Sequence, residues 1–226
     1  MLLVVKNLSK TYREGETELP VIKSLSFSMA KGDFVSIRGA SGAGKSTFLN
    51  LIGALDSFDE GDIIIDGISL KNYAHKEELT LFRRDKIGFV FQNHYLMAEF
   101  TVLENVMFPL LLQKVPRRQA RERAEWMLER VGLKDRRNHY PSQISGGESQ
   151  RAAVARALVH KPVLVLADEP TGNLDATNRK KFIELLQNLQ LQENLSILVV
   201  THEEDLARCA KRQYLMVDGK LELLSG

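Results

Sequence analysis

Residues 39 to 46 read GASGAGKS, so Gly39, Ala40, Ser41, Gly42, Ala43 and Gly44 lead directly into Lys45, Ser46 and Thr47. Small residues leave main-chain N–H groups uncovered, which suits a backbone that must wrap a polyphosphate. In that pattern the lysine reaches the β and γ phosphates of a nucleoside triphosphate and the following hydroxyl is a ligand for Mg²⁺. A mere glycine-rich turn leaves Lys45 and Ser46 without a purpose.

A second chemical stretch is VLVLADEP at 163 to 170, an apolar run ending in Asp168 and Glu169. Adjacent carboxylates repel unless they serve different partners. Asp168 fits a hold on Mg²⁺, direct or through another ligand, and Glu169 fits the base that orients and activates an attacking water. Two more polar residues close apolar runs, Gln92 after IGFVF and His202 after ILVVT. Strand ends of one parallel sheet meet at one edge, so four polar groups are expected where a γ-phosphate would lie.

The third stretch is ISGGESQR at 144 to 151. Ser145 and Glu148 have the spacing of a capping box, which opens a helix expected to run through AAVARALVH to residue 160. Gly146 and Gly147 weaken that helix by about 1 kcal/mol each relative to alanine. Their presence in the first turn points to bare N–H groups facing an anion.

The elements that position these residues follow from patterning. The runs FVSI (34 to 37), IGFVF (87 to 91), VLVLA (163 to 167) and ILVV (197 to 200) alternate with helical stretches, which predicts a mainly parallel α/β sheet. Residues 1 to 38 and 62 to 70 read as strands with hairpin turns, one at Asp66-Gly67, and YLMVDGKLELL as a closing hairpin about Asp218-Gly219. Residues 93 to 160 read as an inserted helical subdomain between two parts of one core, 1 to 92 and 161 to 226. Within it Ala120, Ala124, Met127, Leu128 and Val131 share one helical face, with five arginines and three glutamates elsewhere.

Composition sets the outer limits. A chain of 226 residues, 44% hydrophobic and 27% charged, suits one soluble globular unit, and a net charge of +2 is too mild for a nucleic-acid binder. The single cysteine, Cys209, excludes an intrachain disulfide and fits a reducing compartment. No apolar stretch approaches the ~18 residues of a membrane span. The opening MLLVVKNLSK carries Lys6 and lacks a small-residue cleavage pattern, so it reads as a strand rather than a signal peptide.

Taken in order, these motifs resemble the nucleotide-binding subunit of ATP-binding cassette (ABC) transporters over essentially the full length of the chain. GASGAGKST resembles the Walker A loop, Gln92 the Q-loop glutamine, ISGGESQR the signature sequence with isoleucine at 144 for the usual leucine, VLVLADE the Walker B strand, GNLD at 172 to 175 the D-loop, and His202 the switch histidine. The resemblance implies a P-loop NTPase fold with a RecA-like core, an antiparallel β subdomain and a helical subdomain. It implies catalysis by Glu169, His202, Gln92 and Lys45, with Mg²⁺ near Ser46, Gln92 and Asp168. It implies ATP held by Tyr12, which sits where the family stacks an aromatic on adenine, by residues 39 to 47, and by Ser145, Gly146, Gly147 and Glu148. The family's signature meets the nucleotide of the other subunit, so a homodimer sandwiching two ATP is expected.

Within the family FQNHYLMAEFTVLENVMFPLLL, ADEPTGNLDA and RQYLMVDGKL are most similar to the lipoprotein-releasing (Lol-type) branch, with macrolide and peptide exporter and cell-division ATPases as near rivals. This implies two integral permease subunits per complex and a peripheral place on the cytoplasmic side of the inner membrane. Soluble cassettes of DNA repair need a long coiled coil between Walker A and the signature, and no sustained heptads occur here. The stretch after Gln92, with Tyr95, Leu96, Met97 and Phe100, has few charges and is expected to expose apolar anchors to the membrane partner.

Overall fold

Short, continuous apolar runs buried on both faces build the centre of the molecule. In chain order the computed structural model, which describes residues 1–15, 17–73 and 75–225, has β1 (Leu3–Glu14), β2 (Thr17–Met29), β3 (Phe34–Gly39), α1 (Lys45–Ile52), β4 (Glu60–Ile65), β5 (Ile68–Ser69), α2 (Lys76–Lys86), β6 (Ile87–Phe91), α3 (Val102–Leu112), α4 (Arg117–Arg130), α5 (Gly146–Leu158), β7 (Leu164–Asp168), α6 (Ala176–Glu193), β8 (Ile197–Val200), α7 (Glu204–Arg208), β9 (Arg212–Val217) and β10 (Lys220–Ser225). The main sheet has the order β10-β9-β3-β8-β7-β6. All its neighbours are parallel except β10 on β9. A second, antiparallel sheet has the order β2-β1-β4-β5.

The main sheet is buried on both faces, and its residues divide by parity. Ile197 and Val199 of β8 and Val165 and Ala167 of β7 enter one apolar cluster, while Leu198, Val200, Leu164 and Leu166 enter another. The first cluster includes Val106 and Leu110 of α3, Ala124 and Leu128 of α4, Val154 of α5 and Phe182 of α6. The second joins the sheet to Phe48 and Leu51 of α1 and to Leu3, Ile22 and Ile65 of the antiparallel sheet. Each fully buried aliphatic side chain contributes about 1.5–3 kcal/mol. Helices α3 to α5 therefore share a core with the sheet they lean on.

One detail departs from the sequence reading and one extends it. The helix opened by Ser145 ends at Leu158, because Lys161 takes a left-handed φ of 57° and Pro162 follows. The closing hairpin forms as read, β9 against β10, and β9 also lies parallel to β3, which joins the hairpin to the main sheet. Its turn places Asp218 at φ 47° and Gly219 at φ 77°, the left-handed pair that a two-residue hairpin requires. No helix among the described residues is long and apolar enough to cross a membrane.

Candidate active site

β3 delivers the glycine-rich loop to the carboxyl edge of the main sheet, and α1 leaves from it. Gly44 is the N-cap of α1 at φ 101°, a conformation open to glycine, and no side chain caps the helix. The first turn also lacks an acid, so its free N–H groups and the positive end of the helix dipole face outward unneutralised. Lys45 Nζ donates to the carbonyls of Gly39 (2.9 Å) and Ala40 (2.8 Å), lying across the mouth of the loop.

A cavity of ≈ 620 Å³ gathers this loop with Tyr12, Gln92, Glu169 and His202. Tyr12 is anchored: its hydroxyl donates to Asp56 Oδ2 at 2.8 Å, and Lys10 Nζ lies 4.9 Å from the ring centroid. Partial burial, and then the bond to Asp56, raise the phenol's pKa and keep it neutral. Leu19 and Val21 of β2 also line the cavity, and sequence reading missed both. The signal was the hairpin register, which sets Leu19 opposite Tyr12.

Asp168 and Glu169 leave β7 with different surroundings. Asp168 is largely buried, which pushes its pKa up; the Ser46 hydroxyl and Lys45 pull it down, while the charge on Glu169 adds to the rise. Its Oδ1 is buried without a hydrogen-bond partner, an arrangement that costs about 1–3 kcal/mol unless something supplies the contact. An orphan carboxylate oxygen beside the Ser46 hydroxyl suits a hard, oxygen-seeking cation, so these residues fit Mg²⁺.

Glu169 turns the chain at φ 44°, a strained conformation for a non-glycine residue, while its N–H still donates to Val200 O at 2.9 Å. Its Oε2 accepts from the His202 main-chain N–H at 3.2 Å and lies 2.9 Å from His202 Nδ1. A carboxylate accepts only, so Nδ1 carries a proton and donates it to Glu169. Gln92 directly follows β6, and its carboxamide Nε2 donates to Asn173 Oδ1 at 3.2 Å.

The signature residues are not brought into this cavity. Ser145 and Glu148 line a separate one of ≈ 390 Å³, with Arg151, Asn178 and Lys181. The capping box forms, with Glu148 Oε2 accepting from Ser145 N (2.8 Å) and Ser145 Oγ (2.9 Å). Those bonds from Ser145, and then Arg136 on Oε1 at 2.8 Å, hold the Glu148 carboxyl down to about 2. Glu148 therefore uses its charge to fix Ser145.

The two glycines of this helix start have different surroundings. Gly146 is exposed with open space around it, but a Cβ at Gly147 would sit 2.9 Å from Asn178 Oδ1 of α6. Gly147 is kept small by its packing against Asn178.

The segment after Gln92 also differs from expectation. Tyr95 and Phe100 are 65% and 42% exposed, but Leu96 packs against the main apolar cluster. Buried Asn105 pins this loop by accepting from Met97 N and donating to the Met97, Phe100 and Thr101 carbonyls; Arg156 donates to those of His94 and Tyr95. Beside it runs a groove of ≈ 340 Å³ floored by Phe89, Phe91, Pro109 and Leu112 and edged by Arg83 and Arg156.

Comparison with known proteins agrees with this geometry. Residues 22–172 match the family model described as ABC transporter. The lipoprotein-releasing system ATP-binding protein LolD 2 of Chlorobaculum tepidum is 45% identical over 231 residues, covering 100% of this chain and 94% of that protein. Two solved structures of the ATP-binding cassette MJ0796 align with a TM-score of 0.89 and cover 99% of both chains. One, 41% identical, is a dimeric post-hydrolysis state bound to ADP and Pi; the other, 42% identical, is a dimeric bacterial ABC transporter cassette.

Proposed function

This chain belongs to the ABC transporter family and is an ATPase, and from that premise we propose that it is the motor subunit of a complex releasing lipoproteins from the inner membrane. The contact between Glu169 and His202 inside the phosphate-loop cavity carries the catalytic reading. The N–H groups at the start of α1 and the Lys45 ammonium bind the β and γ phosphates, and Tyr12 with Leu19 and Val21 gives the base an apolar wall. Glu169 takes a proton from water as the oxygen attacks the γ phosphorus, and the bond to the β-phosphate oxygen breaks to give ADP and phosphate. His202, oriented through Nδ1 by Glu169, lines the same cavity and acts on the transferred group. Ser46, Gln92 and Asp168 would hold Mg²⁺, which neutralises charge on the β and γ phosphates when bound.

Two copies of the chain form the working unit in this reading. The separate location of Ser145 and Gly146, and the dimeric state of the MJ0796 relatives, support a signature face that closes on the partner's nucleotide. Two integral permease subunits dock on the helical side, at the groove floored by Phe89 and Phe91 with Tyr95 and Phe100 at its margin, and keep the motor peripheral on the cytoplasmic face. The groove's apolar floor supports that assignment.

Glu169→Gln tests both levels. Recovered with Mg-ATP from its native membrane, this variant is expected to be an ATP-bound dimer carrying integral subunits, with turnover reduced by about 10²–10⁴-fold. A monomer or near-normal turnover would refute the role of Glu169, and copurification of soluble proteins alone would refute the membrane partnership.

A further inference from the structure

The turn that follows the candidate base reaches across to the end of β6. Gly172 N–H donates to Glu169 O at 3.0 Å, and the Gln92 carboxamide lies directly on Gly172. A Cβ at 172 would sit 2.7 Å from Gln92 Nε2, 3.0 Å from its Cδ and 3.2 Å from its Cγ. Asn173 completes the clasp. Its Nδ2 donates to the Gln92 main-chain carbonyl at 3.1 Å and to Asn93 Oδ1 at 3.2 Å, while its Oδ1 accepts from Gln92 Nε2 at 3.2 Å.

Donor and acceptor logic makes this arrangement directional. A main-chain carbonyl can only accept, so the atom of Asn173 facing Gln92 O must be the amide nitrogen. The other end of Asn173 is then an acceptor, and the atom of Gln92 facing it must in turn be Nε2. Gln92 Oε1 is thereby left outside this clasp, and Gln92 lines the cavity, where an amide can meet a hard cation only through its oxygen.

We infer that Asn173, seated by Gly172, is a positioning residue: it selects the flip of Gln92 that presents Oε1 to the metal, and it ties the Glu169 turn to the segment leaving Gln92. The inference rests on Gln92 as a metal ligand. Asn173 is exposed, so its replacement does not disturb the core.

The test uses Mn²⁺ as the probe, with its affinity for the ATP-loaded Glu169→Gln protein read by electron paramagnetic resonance. Asn173→Ala is expected to weaken Mn²⁺ binding about 10- to 100-fold, as loss of a ligand-orienting partner does. ATP affinity without metal and thermal stability should stay at the parent values. Gly172→Ala, which displaces the carboxamide by a different route, should act in the same direction. In the double variant Gln92→Ala/Asn173→Ala, Mn²⁺ should bind no more weakly than with Gln92→Ala alone, because the two act through one contact. If Gln92→Ala weakens Mn²⁺ binding and Asn173→Ala does not, or if the two losses add, the positioning role is overturned while Gln92 remains a ligand. If Gln92→Ala leaves Mn²⁺ binding unchanged, the metal reading itself falls and takes this inference with it.

Discussion

The chain has two glycine-bearing helix starts suited to anions, at α1 and at α5, and they are finished in opposite ways. α1 begins at left-handed Gly44 with no side-chain cap and no acid, so its N–H groups and dipole are fully available, with Lys45 adding a charge. α5 satisfies itself first, through the reciprocal capping of Ser145 and Glu148 and the clamp of Arg136. An uncapped start costs helix stability but binds a polyphosphate by itself. A capped start is stable alone and offers a fixed hydroxyl and the exposed Gly146 backbone, which is enough for a surface that meets phosphate already held elsewhere. Under the proposed dimer, the difference would give capture to α1 and closure to α5.

The sharpest way to break that division is to disable each start separately. Lys45→Ala should lower ATP affinity of the isolated chain about ten- to hundredfold, since a hydrogen bond to a charged group contributes about 1.5–3 kcal/mol. Ser145→Arg should leave that affinity within about twofold of wild type, while neither variant turns ATP over. Mixing the two chains is expected to restore hydrolysis at the one intact composite site of each heterodimer. Equal loss of binding by both variants, in a fluorescent-nucleotide titration, would erase the distinction.

A smaller effect concerns the cap itself. Glu148 titrates near 4.5 unfolded and about 2 folded, so its pKa is depressed by folding. Its contribution is fully present above pH 4.5 and is lost as the pH falls toward 2. Glu148→Gln should therefore lower the melting temperature by about 2–4 °C at neutral pH. Across the acid window that gap from wild type should shrink in a calorimetric series, and a pH-independent gap would contradict the charged cap.

The glycine pair gives the finest test. Gly146→Ala should stabilise the isolated chain by about 0.5–1 kcal/mol through helix propensity while lowering turnover. Gly147→Ala should destabilise it by about 1 kcal/mol, because the new methyl meets Asn178. Identical changes in denaturant midpoint for the two variants would deny the packing role of Gly147.

What the sequence made legible was what neighbouring residues decide together. The phosphate loop, the carboxylates ending β7 and the Ser145–Glu148 box all place their atoms through local backbone geometry, and alternation in the apolar runs was enough for the sheet. What stayed hidden depends on partners far along the chain. Leu19 joins the nucleotide wall through hairpin register, and Gly147 answers to Asn178 on another helix. Leu96 is half-buried because Asn105 and Arg156 fold its loop back onto the core, which no local hydropathy could reveal. The orientation of Gln92 is set by Asn173, 81 positions away.

The parity of the central strands has a consequence for how the sequence can drift. In β7 Leu164 and Leu166 serve one core and Val165 and Ala167 the other, and the same count of residues ends at Asp168. Exchange of one aliphatic for another of similar size keeps both cores and the carboxylate where they are. Gain or loss of one residue inverts every side chain and moves the acid off its edge. The strand is thus tolerant of spelling and intolerant of length: similar apolar residues can replace one another in it, but the interval from Leu164 to Glu169 cannot change without displacing the acid.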